Sequence, residues 1–240
     1  MRIGGFLPTT LLDYPGHLAC TVFTQGCNLR CPFCQNGSLV LPDHFDPLLS
    51  EEEVLKKMEK RSGILEGVCI SGGEPTLQPD LEDFIRKVRS LGLKIKLDTN
   101  GSRPDILKDL CQKGLIDYVA MDVKAAPSEY ARVCGLSAEG SDFFAPYAES
   151  VAFLKQSGID HEFRTTLVKG LHTRKSMQEL AAFLSGAAAW YLQSYEESSD
   201  VISLLEHGPG TFSGFSSPEL NEFLSIAQEH VPAAVLRGVG

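Results

Sequence analysis

The stretch that decides the fold is residues 18–34, Leu-Ala-Cys-Thr-Val-Phe-Thr-Gln-Gly-Cys-Asn-Leu-Arg-Cys-Pro-Phe-Cys. Its first six residues are an apolar run typical of a buried β-strand, so the cysteines that follow lie on the loop leaving its C-terminal end. Cys27, Cys31 and Cys34 have the spacing C-x3-C-x2-C. Thiolates this close in sequence can converge on one soft metal centre. Three ligands leave one position open, and a [4Fe-4S] cluster held in this way has one iron free for a substrate or cofactor.

Two other uses of these cysteines remain open. Tetrahedral zinc would need a fourth ligand, with His17, Cys20 or His44 as candidates, but no second C-x2-C or H-x3-H pair completes that pattern. A disulfide fits less well, because seven cysteines is an odd number and the chain looks intracellular. The remaining cysteines stand singly in apolar or helical surroundings and are predicted to be core residues: Cys20, Cys69, Cys111 and Cys134. None of the six histidines shows a ligand spacing.

Composition describes an ordinary globular protein of 240 residues, with a net charge of −9 and no basic tract. Nucleic-acid binding is therefore not expected. No stretch approaches a membrane-spanning length, and the first eight residues do not form a signal peptide. We expect a protein of the cytoplasm, whose reducing conditions suit an oxygen-sensitive cluster.

Outward from the cysteines, strand and helix patterns alternate about six times. Strands are predicted near 18–25, 68–70, 93–97, 118–121, 161–168 and 188–192, and helices near 50–60, 80–91, 104–113, 141–156, 174–184 and 218–230. Residues 1–17 are predicted to be irregular, and 233–237 to add an edge strand. Such alternation calls for a parallel α/β sheet with helical crossovers. Six units fall short of the eight of a closed barrel, so we expect an open, partial (β/α)6 TIM-like barrel. A single domain is expected over 1–240, with its core at about 18–195 and the C-terminal helix and edge strand at 216–238.

Polar groups follow the ends of the predicted strands, where parallel α/β barrels build their sites. They are Gly72-Gly73-Glu74-Pro75, Asp98-Thr99-Asn100-Gly101 and Asp122-Val123-Lys124. Alone, each is most simply a turn or a surface ion pair. Together at one rim, Asp98 could meet an ammonium and Lys124 a carboxylate, which describes a site for an amino acid. Arg164 lies inside the fifth strand and needs an anionic partner to offset its burial.

These motifs carry a family resemblance. The cysteine spacing with an aromatic residue before the last cysteine, followed by Gly-Gly-Glu-Pro, resembles the radical S-adenosylmethionine (radical SAM) enzymes. Within them, Asp98-Thr99-Asn100-Gly101, the Asp122–Lys124 pair and Arg164 resemble the glycyl-radical-enzyme activases. Gly4-Gly5-Phe6 and Thr24-Gln25-Gly26-Cys27-Asn28 are most similar to the activating proteins of anaerobic ribonucleoside-triphosphate reductase.

The resemblance implies a role for each candidate residue. Cys27, Cys31 and Cys34 would hold the cluster, and Arg164 would face the cofactor or the incoming substrate loop. Residues that would bind the cofactor or lie beside it are Phe33 at the adenine, Gln35, Gly72, Gly73, Glu74, Asp98, Thr99, Asn100, Asp122 and Lys124. A monovalent cation near Asp98 and Asp122 could take part. Many activases have histidine where Gln35 stands, and some have a histidine for the methionyl carboxylate where this chain has Glu196.

The implied reaction is one-electron cleavage of S-adenosylmethionine to methionine and a 5′-deoxyadenosyl radical, which takes a hydrogen atom from a glycine of a partner enzyme. That partner would be a glycyl radical enzyme, most simply anaerobic ribonucleotide reductase. The electron would come from a flavodoxin- or ferredoxin-type donor. Two alternatives stay open: a radical SAM enzyme acting on a small, nucleotide-like molecule, and a non-catalytic iron–sulfur or zinc module.

Overall fold

The computed structural model describes residues 1–136 and 144–238. The fold is α/β, and its eight-stranded sheet is mostly parallel, with strand order following chain order. The strands are β1 (Ile3–Thr10), β2 (Ala19–Thr24), β3 (Gly67–Gly72), β4 (Lys94–Thr99), β5 (Tyr118–Asp122), β6 (Asp160–Leu167), β7 (Trp190–Ser194) and β8 (Ala234–Arg237). The predicted α/β class is confirmed.

Helices alternate with the strands. They are α1 (Gly37–Val40), α2 (Glu51–Glu59), α3 (Leu81–Ser90), α4 (Pro104–Gln112), α5 (Tyr130–Val133), α6 (Phe144–Ser157), α7 (Arg174–Phe183), α8 (Ile202–His207) and α9 (Ser217–Gln228). Ser50 caps α2 by accepting a hydrogen bond from the Glu53 backbone N–H. The first three residues of the predicted 141–156 helix lie outside the described residues. No helix in the described ranges is long and apolar enough to cross a lipid bilayer.

The chain divides into two compact units. The first comprises residues 1–28 and 38–120, and the second comprises residues 29–37 and the described residues from 121 onward. In the first unit, β2, β3 and β4 pair in parallel, and β1 pairs with β2 in antiparallel fashion. In the second unit, β6, β7 and β8 pair in parallel. Each unit therefore supplies its own set of carboxyl-terminal strand ends.

The core of the first unit lies between its strands and α3. Phe84, Ile85 and Val88 of α3 have no exposed surface, and neither has Val22 or Ile70 of the strands. Burying a side chain such as Phe84 stabilises the fold by roughly 1.5–3 kcal/mol. These apolar positions recur along α3 at helical spacing, which is why its pattern was readable from the sequence.

The core of the second unit is centred on Trp190 of β7, whose side chain is fully buried. Its indole N–H donates to the hydroxyl of Thr165 at 2.9 Å, which satisfies the one polar atom of the ring. Helix α7 begins with a capping box in which Thr173 and Ser176 bond each other's backbone N–H groups. Thr165 lies on β6 beside Arg164, so this packing also places a candidate site residue.

The main error of the sequence prediction concerns residues 1–17, which contain the strand β1. Gly4, Gly5 and Pro8 argued for irregular structure, but Pro is tolerated on an edge strand and Gly at a bulge. The register of β1 against β2 shifts between Ile3 and Gly5 and again between Leu7 and Thr10. The helices α1, α5 and α8 were also not predicted. Strands β3 and β4 run further than predicted, so Gly72, Asp98 and Thr99 lie within strands rather than beyond them.

Candidate active site

Backbone hydrogen bonds anchor the part of the cysteine loop that belongs to the second unit. The N–H of Cys34 donates to the carbonyl of Cys31 at 2.9 Å, closing a turn. From the far end of the chain, Ile202 N–H donates to Cys34 O at 3.0 Å and Ser203 N–H donates to Pro32 O at 2.8 Å. The start of α8 therefore holds the loop that carries two of the candidate ligands.

Two glycines let backbone approach this loop closely. A Cβ on Gly37 would lie 2.7 Å from the carbonyl oxygen of Asp200. A Cβ on Gly135, whose φ is +67°, would lie 2.0 Å from the carbonyl oxygen of Arg30. Both distances are far below van der Waals contact, so only glycine fits without displacing backbone.

The thiols of Cys31 and Cys34 lie beside a lysine. A hydrogen bond to Cys134 together with burial raises the pKa of Cys31 well above its usual range. Burial raises the pKa of Cys34, and the positive charge of Lys124 opposes that rise at both thiols. Lys124 is thus placed to stabilise negative charge on either sulfur.

Asp122 lies between two cations at the end of β5. Lys124 Nζ donates to its Oδ2 at 3.0 Å and Arg164 Nε donates to its Oδ1 at 3.0 Å. Burial on its own would raise the pKa of Asp122, but the charges of Arg164 and Lys124 outweigh it and hold that pKa well below its usual range. Burial likewise opposes the charge on Lys124, yet Asp122 and the two thiols hold the pKa of Lys124 above its usual value. Asp122 is thus the anionic partner that was predicted for Arg164.

Phe33, the candidate adenine contact, packs against a histidine that the sequence analysis assigned no role. Its ring meets that of His172 edge-on with the centroids 6.5 Å apart. His172 Nδ1 accepts from the N–H of Val168 at 3.0 Å, so Nε2 carries the proton that is donated to Lys124 O at 3.0 Å. Burial lowers the pKa of His172, which favours this neutral form. His172 therefore supports both Phe33 and the backbone of Lys124.

Gln35, the other candidate on this loop, is held by its side-chain amide. Its Nε2 donates to the carbonyl oxygen of Glu196 at 2.7 Å. The two positions at which this chain departs from the activases that its motifs resemble thus contact each other.

In the first unit, Gly72 and Gly73 bring two backbone segments into contact. Gly72 has φ of +109°, and a Cβ there would lie 2.4 Å from the amide nitrogen of Thr24. A Cβ on Gly73 would lie 2.1 Å from Gly26 O. The N–H groups of Gly73 and Glu74 donate to Thr24 O and Gly26 O, each at 2.8 Å. The Gly-Gly turn is thus fixed against the strand end that leads into Cys27.

The carboxylate of Glu74 has no exposed surface and is surrounded by uncharged donors. Oε1 accepts from the backbone N–H and hydroxyl of Thr76 and from the hydroxyl of Thr99, and Oε2 accepts from the N–H of Asn100 at 2.6 Å. Burial raises the pKa of Glu74, and these hydrogen bonds only partly offset the rise. The side chain thus joins the Gly-Gly-Glu-Pro segment to the Asp-Thr-Asn-Gly segment.

Asp98 lies beside a buried lysine that sequence reasoning missed. Lys96 is 1% exposed, and its ammonium donates to Asp98 Oδ1 and, at 3.7 Å, to Cys69 Sγ. Ser71 donates its hydroxyl to Asp98 Oδ2 at 3.0 Å. The signal was present, because Lys96 and Asp98 are two residues apart and share a strand face.

Asn100 contacts Cys27, the third candidate ligand. Its Nδ2 donates to Cys27 Sγ at 3.8 Å and to Asn28 Oδ1 at 2.9 Å. Cys27, Glu74, Asp98, Thr99 and Asn100 are therefore brought together within the first unit.

The candidate residues fall into two groups of side chains, one in each unit. The second unit gathers Cys31, Phe33, Cys34, Gln35, Asp122, Lys124 and Arg164. Within either unit taken alone, the described residues bring no three histidine, cysteine or carboxylate side chains together as a metal site. The chemistry of these residues nonetheless fits an iron–sulfur cluster, because three thiols occur within eight residues. The side-chain N–H of Asn100 donates to Cys27, and the positive charge of Lys124 acts on Cys31 and Cys34.

Comparison with known proteins identifies the family of this chain. Residues 21–184 match the family model described as "Radical SAM superfamily". A protein of Methanocaldococcus jannaschii, provisionally named a glycyl-radical enzyme activating enzyme, is 26% identical over 238 residues, covering 99% of this chain and 96% of that protein. The pyruvate formate-lyase-activating enzyme of Clostridium pasteurianum is 34% identical over 166 residues, covering 62% of this chain and 64% of that enzyme. Proteins named as a GTP 3′,8-cyclase and a 7-carboxy-7-deazaguanine synthase are also among the relatives, and each aligns with less than half of this chain.

Solved structures agree on the fold. A radical SAM methyltransferase from Sphaerobacter thermophilus superimposes with a TM-score of 0.68 at 19% identity, covering 95% of this chain and 68% of that one. At this identity the likeness concerns the fold, and it confirms the α/β architecture expected from the alternation of strand and helix patterns. Since the family model spans more than half of the chain, this protein belongs to the radical SAM superfamily.

Proposed function

We propose that this protein is a radical SAM activase that generates a glycyl radical on a partner enzyme. The observation that carries the proposal is the alignment with a provisionally named activating enzyme along 99% of this chain and 96% of that relative. Almost the whole of each chain is matched in that alignment. In this proposal residues 1–240 form a single radical SAM domain.

In this proposal Cys27, Cys31 and Cys34 hold a [4Fe-4S] cluster through three thiolates. The assignment is based on their C-x3-C-x2-C spacing and on family membership. Lys124 supports it, since an ammonium beside two of the sulfurs offsets the negative charge of a thiolate-bound cluster.

In this proposal, as the motifs imply, Phe33 contacts the adenine of S-adenosylmethionine, and Asp98, Thr99, Asn100 and Asp122 contact its methionine end. The Glu74 carboxylate is already filled by four donors. The methionyl amine would therefore be bound by backbone groups of Gly72, Gly73 and Glu74. Such groups are available to a ligand because glycine lets the chain approach closely.

The methionyl carboxylate needs a cation, and Lys124 and Arg164 are the candidates. Both contact Asp122 and are about one fifth exposed, at 21% and 17%, so a ligand can reach them. Glu196 lacks the positive charge of the histidine that some related activases have. A monovalent cation near Asp98 and Asp122 remains a prediction, although Lys96 already neutralises Asp98 and Lys124 and Arg164 already neutralise Asp122.

When bound, the cluster supplies one electron to the sulfonium, which yields methionine and a 5′-deoxyadenosyl radical that takes a hydrogen atom from the partner's glycine. Anaerobic ribonucleoside-triphosphate reductase is the partner that the Gly4-Gly5-Phe6 and Thr24–Asn28 segments favour. A flavodoxin- or ferredoxin-type protein would deliver the electron.

The test is anaerobic reconstitution followed by turnover with candidate partners. We expect about four irons and four sulfides per chain, loss of cofactor cleavage in Cys27→Ala, Cys31→Ala and Cys34→Ala, and unchanged cleavage in the matched control Cys111→Ala. Electron paramagnetic resonance should detect a glycyl radical that disappears when the partner glycine becomes alanine.

A second candidate, a radical SAM enzyme acting on a nucleotide-like small molecule, is favoured by the nucleotide-modifying relatives. The same assay separates the two. Efficient, coupled turnover of a free nucleotide without any protein partner would overturn the activase proposal.

A further inference from the structure

The side-chain amide of Asn100 is held in one orientation by its neighbours. The backbone N–H of Ser102 donates to Asn100 Oδ1 at 2.9 Å, so the opposite end of the amide must be the NH2 group. One of its hydrogens is taken by Asn28 Oδ1 at 2.9 Å. The other is directed at Cys27 Sγ, 3.8 Å from the nitrogen.

The surroundings make this contact rigid. Asn100 is 5% exposed, and its backbone N–H is bonded to the buried Glu74 carboxylate at 2.6 Å. Asn28 is held in turn, because its Nδ2 donates to the hydroxyl of Ser102 at 2.9 Å. Both N–H groups of the Asn100 amide and one lone pair of its oxygen are thus engaged.

We propose that Asn100 is a positioning residue for the iron–sulfur cluster, and that it makes the cluster easier to reduce through its N–H···S bond to Cys27. This inference rests on the proposed assignment of Cys27 as a cluster ligand. A reduced cluster carries one more negative charge than the oxidised one, so a donor on a ligand sulfur stabilises the reduced state more. Hydrogen bonds to the sulfurs are one of the factors that set cluster potentials.

The experiment is a redox titration of the anaerobically reconstituted protein, followed by electron paramagnetic resonance of the reduced cluster. Asn100→Leu keeps the approximate volume of the side chain and its backbone N–H but removes the donor. We expect a tenfold less favourable reduction equilibrium, which for a one-electron couple is a midpoint about 59 mV more negative. Asn100→Asp, which also adds a negative charge, should shift the midpoint further in the same direction.

Ser102→Ala is the matched control, because it removes the hydroxyl that holds Asn28 but keeps the backbone N–H that orients Asn100. Its midpoint should stay close to that of the wild type. If Asn100→Leu fails to load a cluster, Asn100→Ser is titrated instead, because its short side chain does not reach Cys27.

An unchanged midpoint in whichever loaded Asn100 variant is titrated would overturn the inference. An equal shift in Ser102→Ala would overturn it too, since loop geometry would then be the cause. Both results leave the proposed function standing, because cluster loading and cofactor cleavage are read separately. A wild-type protein that binds no cluster would overturn the inference and the proposed function together.

Discussion

Two carboxylates, one in each unit, have opposite electrostatic surroundings. Glu74 is fully buried and is held by four uncharged donors, and burial raises its pKa. Asp122 is 32% exposed and lies between Lys124 and Arg164, whose charges lower its pKa despite burial. The more completely hydrogen-bonded carboxylate is thus the one whose ionised form is less favoured.

This difference in surroundings corresponds to two roles of a carboxylate at a site, as a structural hydrogen-bond acceptor or as a negative charge. Neutral donors fix the position of an oxygen atom but only partly replace the water that a charge loses on burial. Neighbouring positive charges keep a carboxylate ionised even where it is partly exposed to solvent. Glu74 accordingly joins two backbone segments, whereas Asp122 sets the charge beside the candidate cofactor contacts.

The largest effect should come from removing the Glu74 carboxylate. In Glu74→Ala the buried N–H groups of Thr76 and Asn100 lose their acceptors, at roughly 1–3 kcal/mol each. The free energy of unfolding should therefore fall by roughly 2–6 kcal/mol, measured by denaturant titration of the cluster-free protein. The control is Glu59→Ala, at an exposed position of α2, which should stay within error. Equal losses in the two variants would contradict the role given to Glu74.

An intermediate, pH-dependent effect is expected at Asp122. Asp122→Asn should cost about 1–2 kcal/mol near neutral pH, an amount reduced for partial exposure to solvent. Because the folded pKa of Asp122 is lowered, this contribution is present above the unfolded pKa of about 3.9 and is lost as the pH falls below it. Unfolding measured from neutral pH downward should show the two proteins converging in acid. A difference in the free energy of unfolding that does not change with pH would refute the charge-based explanation.

The smallest effect should come from Thr76→Val, which removes one neutral donor to Glu74 while nearly preserving shape. We expect a loss of roughly 0.5–1.5 kcal/mol. The pH dependence should have the opposite sign to that of Asp122. A carboxyl group whose folded pKa is raised contributes stability below the unfolded pKa and loses it as the pH rises towards the folded one. Losing a donor raises that pKa further, so the decline in the free energy of unfolding should extend to higher pH than in the wild type. A decline over the same pH range in both proteins would contradict this explanation.

Local patterns predicted much of this architecture. Strands β2 to β8 and six of the helices were predicted from the sequence pattern. The polar groups at the strand ends also emerged from the sequence, because parallel strands place their carboxyl ends at one edge. Strand β1 was missed, since glycine and proline in an edge strand look like a turn.

Other features depend on residues far apart in sequence, which no local pattern encodes. Lys96 went unrecognised because buried lysines are rare and the expectation is exposure. His172 became relevant only once its ring was seen against Phe33 and its Nε2 at the Lys124 carbonyl. The hydrogen bonds from Ile202 and Ser203 to the cysteine loop also join residues far apart in the chain, so no local pattern predicted them.

Those last bonds have a consequence for how the protein is made. Gln35 and Glu196, which also contact each other there, are 161 residues apart in the chain. At ordinary rates of synthesis, the segment that anchors the loop emerges from the ribosome on the order of ten seconds or more after the cysteines do. Throughout that interval the thiols are carried on a loop without its α8 anchor. The anchored form of the loop is thus available only once residues 196–203 have been synthesised.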